Sequence, residues 1–203
     1  MPSSAKPKRA ATGAAVLSQD VTGAIRAAVL DELADKGFAA MSMDSVARRA
    51  GVGKSAIYRR WTSKDAMTVE VLSDLIVVGD GEPRDTGSLR GDVRQSLDEI
   101  VSWMADDRIG RIYVDILANG MRNAALAEPL TTRIGVPRRA RGTAILDRAA
   151  KRGELNTPVD REVVLDLIAA MVFWRVVARR EQVSPAYLDE VTTLVVGVIT
   201  GRF

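Results

Sequence analysis

Residues 50–61 read AGVGKSAIYRRW, a stretch in which a glycine turn precedes a short cationic segment. The letters GVGKS match the end of a phosphate-binding loop, which requires G-x-x-x-x-G-K-[ST] after a strand. The first glycine of that loop would fall at position 48, where the chain has Arg48, and the preceding MDSVARRA has helical rather than strand spacing. We therefore reject a nucleotide-binding loop.

Two short helices joined by a glycine turn, a helix-turn-helix, explain the same stretch better. Gly51 supplies a backbone conformation that residues with a Cβ adopt with difficulty. Ile57 and Trp61 lie one helical turn apart and are predicted to face the core together with Val46 and Val52. The cationic side chains then lie on the outer surface, where positive charge and a helix N-terminus favour the phosphates of a DNA backbone.

The outward residues predict specific contacts with a DNA duplex. Lys54 and Arg59 are expected to reach guanine edges in the major groove, and Tyr58 and Lys64 to hold phosphates. Ala56 offers a methyl group for contact with the methyl group of thymine. The alternative interpretation is a solvated basic helix, because clusters of Lys and Arg usually face water.

Helical periodicity continues along the rest of the chain. Ile25, Val29 and Leu33 recur every four residues in a helix that is expected to start at Asp20 and to end at Gly37. No segment shows sustained period-two alternation, so the sequence predicts an all-α fold without internal repeats. The predicted N-caps are Ser42, Ser63, Asp160 and Ser184, and further helices are expected at 89–105, 108–120, about 124–152 with a kink or restart at Pro137, 160–180 and 185–201.

Composition argues against several functional classes. The chain has 203 residues, 47% hydrophobic and 27% charged, as in an ordinary soluble protein. It contains no histidine and no cysteine, which removes thiolate chemistry, disulfides, the commonest general base and the commonest zinc ligand. No apolar run reaches the length of about 18 residues that a membrane helix needs, and no signal peptide is evident. The sequence therefore predicts a cytoplasmic protein that is not an enzyme, without metal, cofactor or membrane partner.

Charge is distributed unevenly along the chain. Residues 1–65 hold 11 Lys and Arg against 6 Asp and Glu, a net charge of +5, whereas residues 66–203 carry a net charge of −2. This asymmetry indicates a head that binds a polyanion, joined to a near-neutral body with another task.

The segment FAAMSMDSVARRAGVGKSAIYRRWTSKDAM, residues 38–67, resembles the DNA-binding signature of the TetR/AcrR-like (tetracycline-repressor) family, and the match extends over residues 20–67. The signature positions are occupied by Gly37-Phe38, Ala50-Gly51-Val52, Tyr58, Trp61 and Lys64. Two positions depart from the family pattern: Trp61 stands where Phe is commoner, and Gly53 directly precedes the recognition helix. By matching position, the resemblance implies DNA contacts from Ser42, Met43, Ser45, Lys54, Ser55, Ala56, Tyr58, Arg59, Arg60 and Lys64.

The domain organisation combines composition with this resemblance. Residues 1–18 are expected to form a flexible basic tail, residues 19–66 a three-helix helix-turn-helix DNA-binding domain, and residues 67–203 a helical ligand-binding and dimerisation domain. The resemblance implies a homodimer through the last two helices that binds a palindromic double-stranded DNA operator, most often as a repressor released by a small-molecule effector. The sequence independently allows this dimer, since residues 163–180 and 187–199 are apolar over more than one face.

A ligand pocket is expected among large side chains of the C-terminal body, although ordinary core packing is the commoner explanation for any single one of them. Asp115 and Arg175 are charges within apolar runs, so each needs a partner if it is buried. We consider three partners or places for them: each other, a ligand, or an exposed position at the dimer rim. The candidate pocket residues are Trp103, Met104, Tyr113, Asp115, Leu117, Met121, Phe173, Trp174 and Arg175.

Three other functional classes were weighed against a regulator. A helical-bundle enzyme would have only carboxylates such as Asp106, Asp107 and Glu128, whereas di-metal bundles use Glu-x-x-His. A non-specific architectural DNA-binding protein would not need a near-neutral body of this length. A helical interaction scaffold is the third alternative.

Overall fold

The computed structural model of the protein describes residues 13–76, 83–155 and 160–201, and within these ranges the chain forms helices and no strand. The all-α prediction is confirmed. None of the helices in the described ranges combines the length and the apolar character that a membrane span needs. The helices are α1 (Gly13–Ala40), α2 (Met43–Arg49), α3 (Lys54–Tyr58), α4 (Lys64–Ile76), α5 (Leu89–Met104), α6 (Asp107–Gly120), α7 (Ala124–Leu130), α8 (Val136–Lys151), α9 (Arg161–Phe173) and α10 (Pro185–Thr200).

The first three helices and the start of α4 form the head of the molecule. Ile25, Val29 and Leu33 are buried as predicted, because the stripe they form on α1 faces the interior of the head. Gly37 interrupts α1 with φ of 74° and ψ of 167°, a backbone conformation that glycine adopts without strain. The first helix begins at Gly13 rather than at Asp20, so residues 13–18 of the predicted tail are helical; the first twelve residues lie outside the described ranges.

Side chains that cap the first backbone N–H groups mark the helix starts, at the positions that the sequence predicts. Ser63 accepts a hydrogen bond from the N–H of Ala66, and Asp160 accepts from the N–H groups of Glu162 and Val163. Ser184 caps α10 with Pro185 at its first position, and Gly201 ends it with φ of 66°. These side chains satisfy backbone donors that a helix start leaves free, which confirms the predicted caps.

The kink or restart expected at Pro137 takes the form of a π-helical turn, Thr131–Gly135, which joins α7 to α8. Proline has no N–H for the helical ladder and its ring crowds the preceding turn, so the backbone widens just before it. A second π turn, Trp174–Ala178, follows α9. Both turns change the phase of the helix face that follows them.

A buried carboxylate ties the start of the body together. Asp92 on α5 accepts hydrogen bonds from the N–H and the hydroxyl of Thr86, both at 2.8 Å, and from Arg152 at 3.0 Å. Burial alone would raise the pKa of Asp92, but these hydrogen bonds and the positive charge of Arg148 outweigh it, so the pKa lies below its ordinary value. The ionised carboxylate therefore holds the segment before α5 against the end of α8.

Candidate nucleic-acid interface and ligand cavity

The turn between α2 and α3 orients the predicted recognition helix. Gly51 has φ of 66°, in the left-handed region, and the N–H of Val52 donates to the carbonyl of Ala47 at 3.0 Å. Ile57 and Trp61 are buried, as predicted, and fix one side of α3 against the head. The opposite side of α3 therefore faces outward.

This outward side of α3, together with Ser42 at the start of α2, is called the recognition surface. Its residues are Ser42, Lys54, Ser55, Ala56, Tyr58 and Arg59. Tyr58 and Arg59 are exposed, and Lys54 is exposed while forming an ion pair with Asp44 of α2. The hydrogen bond and charge of Asp44 raise the pKa of Lys54, so this lysine is cationic at neutral pH. Arg59 has no ion pair among the residues that the structure describes, and its charge is available to an anionic partner.

Two predicted DNA-contact residues point into the head instead. Met43 is buried in the hydrophobic core, and Ser45 is buried in a capping box in which its hydroxyl and that of Ser42 each accept from the other residue's N–H at 3.1 Å. The expectation that Met43 and Ser45 touch DNA through their side chains is therefore not retained, since both side chains already serve the folding of α2.

Arg60 and Lys64 brace the head. The guanidinium of Arg60 donates to the carbonyl of Ala56 at 2.9 Å and to the hydroxyl of Thr22 at 3.2 Å. The ammonium of Lys64 donates to the carbonyl of Phe38 at 2.9 Å and lies 4.3 Å from the centroid of the Phe38 ring. Arg60 thus ties the end of the recognition helix to α1, and Lys64 ties the start of α4 to α1, so the first role of both cations is positioning.

Arg48 is an exposed cation that the sequence prediction missed. It lies in the last turn of α2, and its charge acts on the pKa of Lys54, which indicates that the two side chains are neighbours. The adjacent Arg49 forms ion pairs with Glu32 at 2.8 Å and Asp35 at 2.7 Å. The doublet of arginines was the available signal, but only the tertiary structure shows that Arg49 is ion-paired with α1.

Asp115 joins the body to the head. Its Oδ2 accepts a hydrogen bond from the N–H of Phe38 at 2.7 Å, and its Oδ1 accepts from the side chain of Asn119 at 3.0 Å. A Cβ on Gly37 would lie 3.3 Å from that Oδ2, so the glycine allows the close approach. The alternative that Asp115 pairs with Arg175 is wrong, because its carboxylate accepts from the backbone exposed by the break in α1; Asp115 is also not among the cavity-lining residues.

Helix α6 contacts the head at three points along its length. Arg108 near its start pairs with Asp31 on α1, Asp115 lies in its middle, and Asn123 just after its end donates to Asp65 on α4 at 2.8 Å. The same helix carries Tyr113 and Leu117 toward the interior of the body. A movement of α6 would therefore act on the head and the interior together.

We expect Asp115→Ala to lower the free energy of unfolding by about 1–3 kcal/mol, since it leaves the Phe38 N–H without its acceptor. Urea denaturation followed by circular dichroism measures the change. Asp107→Ala is the control, because the exposed Asp107 carboxylate pairs with Arg111 on its own helix. An equal effect of the two substitutions would contradict the assigned role of Asp115.

A cavity of about 330 Å³ opens between α5, α6, α8 and α9. Its lining includes five of the predicted pocket residues: Trp103, Met104, Tyr113, Leu117 and Phe173. Sequence reasoning missed the remaining lining residues, which are Ile100, Arg138, Asp166, Ala169 and Ala170.

Four predicted pocket residues lie elsewhere: Asp115, which binds the head, and Met121, Trp174 and Arg175. Met121 follows the end of α6 with 89% of its surface exposed, and Trp174 is 64% exposed on the outside of the body. Arg175 pairs with Glu181 at 3.0 Å and stacks on the ring of Tyr187 at 4.3 Å. Asp166, Ala169, Ala170 and Phe173 define the cavity-lining face of α9, and a rotation of about 100° per residue turns Trp174 and Arg175 away from that face.

Comparisons with known proteins match both parts of the chain. Residues 25–71 match the family described as bacterial regulatory proteins, tetR family, and residues 83–195 match the tetracyclin repressor-like C-terminal domain. The HTH-type transcriptional regulator YdeS of Bacillus subtilis (strain 168) is 32% identical over 168 residues, which are 82% of this chain and 83% of YdeS. The DNA-binding transcriptional repressor TetR of Mycobacteroides abscessus is 30% identical over 154 residues, 76% of this chain and 80% of that repressor.

Solved structures share the fold. The TetR family transcription regulator SCO0332 superposes with a TM-score of 0.66 and 26% identity, covering 89% of this chain and 98% of its own. FadR from Bacillus subtilis, in complex with stearoyl-CoA, superposes with a TM-score of 0.69 over 90% of this chain and 99% of its own. Its identity of 14% supports the shared fold alone.

Proposed function

The chain belongs to the TetR family of DNA-binding transcriptional regulators, and from that premise we propose that it is a repressor that binds a palindromic operator as a homodimer and leaves it when a small molecule binds. The recognition surface carries this proposal. Lys54, Tyr58 and Arg59 face outward from a helix whose other side is anchored by Ile57 and Trp61, an arrangement suited to the major groove. In this proposal the head remains residues 19–66 and the body residues 67–203.

The proposed dimer forms through α9 and α10. Val163 and Leu194 are each 57% exposed and Trp174 is 64% exposed, and all three lie on the last two helices or the π turn between them. Large apolar side chains exposed together favour burial against a partner surface. A second copy of the chain would place two recognition helices about one DNA turn apart, which is why the operator is proposed to be palindromic.

The proposed effector acts through α6. Tyr113 and Leu117 of this helix line the cavity, while Asp115 between them binds the break in α1. A ligand that fits one arrangement of α6 better than another shifts the population of head positions by its difference in affinity. The spacing of the two recognition helices then no longer fits the operator.

The remaining expectations belong to this proposal as well. The family and its relatives are transcriptional regulators rather than enzymes. We accordingly propose a cytoplasmic protein whose partners are operator DNA, an effector and a second copy of itself, with no cofactor, no metal and no membrane partner.

Footprinting on the DNA upstream of the protein's own gene tests the proposed function. The expected result is one bounded, symmetric region of protection that disappears when an effector is added. Uniform coverage at rising protein concentration would favour the non-specific architectural alternative. Absence of protection on genomic DNA fragments would favour the helical scaffold and contradict the proposal.

A further inference from the structure

Arg138 on α8 is a cation at the wall of the cavity. Its Nη1 donates to the carbonyl of Ile76 at 3.1 Å, and its guanidinium carbon lies 5.1 Å from the centroid of the Trp103 ring. No carboxylate within the described ranges forms an ion pair with it. Burial lowers the pKa of Arg138 from its high ordinary value, but an arginine remains charged at neutral pH.

The neighbouring arginines on α8 differ from Arg138 in this respect. Arg139 binds Asp166 at 2.7 Å and also pairs with Glu162, and Arg141 binds Glu99 at 3.0 Å. Asp166 is the carboxylate that lines the cavity, but it is exposed at the mouth and its charge is balanced by Arg139. Glu99, whose charge also acts on Arg138, is thus bound by Arg141, and Arg138 has no ion pair with a described carboxylate.

Two further polar groups at the cavity are also hydrogen-bond donors without partners. The indole nitrogen of Trp103 is buried and has no hydrogen-bond acceptor in the described structure. The hydroxyl of Tyr113 makes no hydrogen bond to a described residue, and burial raises its pKa, so it stays protonated at neutral pH. The two rings meet edge to face at 5.1 Å, which places both side chains on the same wall of the cavity.

The rest of the lining is mostly apolar. Ile100, Met104, Leu117 and Phe173 surround a volume of about 330 Å³, at the small end of the range for ligand pockets. A buried charge and unpaired donors cost free energy unless a ligand provides acceptors. A ligand that pairs with Arg138 and with the donors of Trp103 and Tyr113 therefore needs an anionic end rich in hydrogen-bond acceptors, and an apolar body for the remaining lining.

We propose that the cavity binds a small amphipathic carboxylate, with the carboxylate at Arg138 and the alkyl or aromatic body against Leu117 and Phe173. The planar guanidinium matches a carboxylate in shape as well as in charge. This inference rests on the proposed function, because it names the chemical class of the effector of that same cavity.

Isothermal titration of the purified protein with matched probes tests the ligand class without any substitution. We expect octanoate and 4-phenylbutanoate to bind at least about 10-fold more tightly than octan-1-ol and octylamine, since a charge-assisted hydrogen bond contributes about that factor. Equal or tighter binding of the alcohol or the amine would overturn the proposal. Failure of all four probes to bind would overturn it too.

Arg138→Gln tests whether the guanidinium of Arg138 binds the carboxylate of the ligand. Glutamine retains an amide donor for the Ile76 carbonyl but loses the charge, so octanoate affinity should fall about 10-fold to 100-fold while octan-1-ol affinity stays constant. Arg138→Lys should restore part of the octanoate affinity. Arg111→Gln, at an exposed arginine of α6 outside the cavity, is the control and should leave both affinities unchanged. Octanoate binding that Arg138→Gln does not weaken would refute the assignment.

Release of operator DNA, followed by fluorescence anisotropy, separates this inference from the proposed function. Octanoate that binds through Arg138 without releasing DNA would contradict the effector response and leave the ligand class standing. Release by octan-1-ol or octylamine, unaffected by Arg138→Gln, would overturn the ligand class and support the effector response.

Discussion

Replacing both Lys54 and Arg59 by glutamine should lower operator affinity by at least about 100-fold. Each dimer presents two recognition surfaces, so the double substitution removes four cations from the DNA interface. A good contact with a base edge contributes about 1–3 kcal/mol of discrimination, and a factor of ten in affinity corresponds to about 1.4 kcal/mol. Removing Lys54 also leaves Asp44 without its ion-pair partner, which adds negative charge beside the phosphates.

The salt dependence of binding distinguishes the removal of a cation from misfolding of the head. Operator affinity of the unmodified protein should fall steeply between about 50 and 200 mM salt. A folded head without Lys54 and Arg59 should keep most of this slope at a lower affinity, because both residues are assigned to base edges rather than to phosphates. The matched control replaces Arg111 and Arg122, two exposed arginines of the body, and should change neither affinity nor slope. Unchanged operator binding after substitution of Lys54 and Arg59 would contradict the recognition surface.

The second large effect concerns the dimer: Trp174→Glu combined with Leu194→Glu should convert the protein to a monomer. Both side chains are exposed in a single chain, so the charges are tolerated there, whereas burying four carboxylates against apolar side chains in a dimer costs several kcal/mol. Size-exclusion chromatography with light scattering measures the mass directly. Persistence of the dimer would disprove the proposed interface.

The affinity for the operator should fall when the dimer dissociates. A monomer binds one half-site and loses the gain from linking two heads, so its affinity should fall by about 100-fold or more. Met121→Glu with Val136→Glu is the control, since these two apolar residues are also exposed but lie outside α9 and α10. This control should remain dimeric and bind the operator normally.

Local signals in the sequence were enough to predict the helices and the turn of the head. Gly51 needs a left-handed backbone, Ser42 supplies a capping hydroxyl, and the helical stripe of Ile25 and Val29 fits a core face; each of these depends on residues within a few positions of one another. The cavity was predicted in part for the same reason. Trp103 and Tyr113 are large side chains on inward faces of amphipathic helices, and helical phase alone indicates that face.

The sequence by itself determined the all-α fold, the helix-turn-helix, the helix caps and the outward position of Lys54, Tyr58 and Arg59, since short-range spacing and backbone preference decide all of these. Only the tertiary structure decided which group each charged side chain contacts. Asp115 binds the backbone of Phe38, which is 77 residues away, and Arg138 rather than Arg139 or Arg141 turns toward the cavity. A charge is satisfied by whatever the fold brings within about 3 Å, and Arg175, a pocket candidate in the sequence, pairs with Glu181 instead.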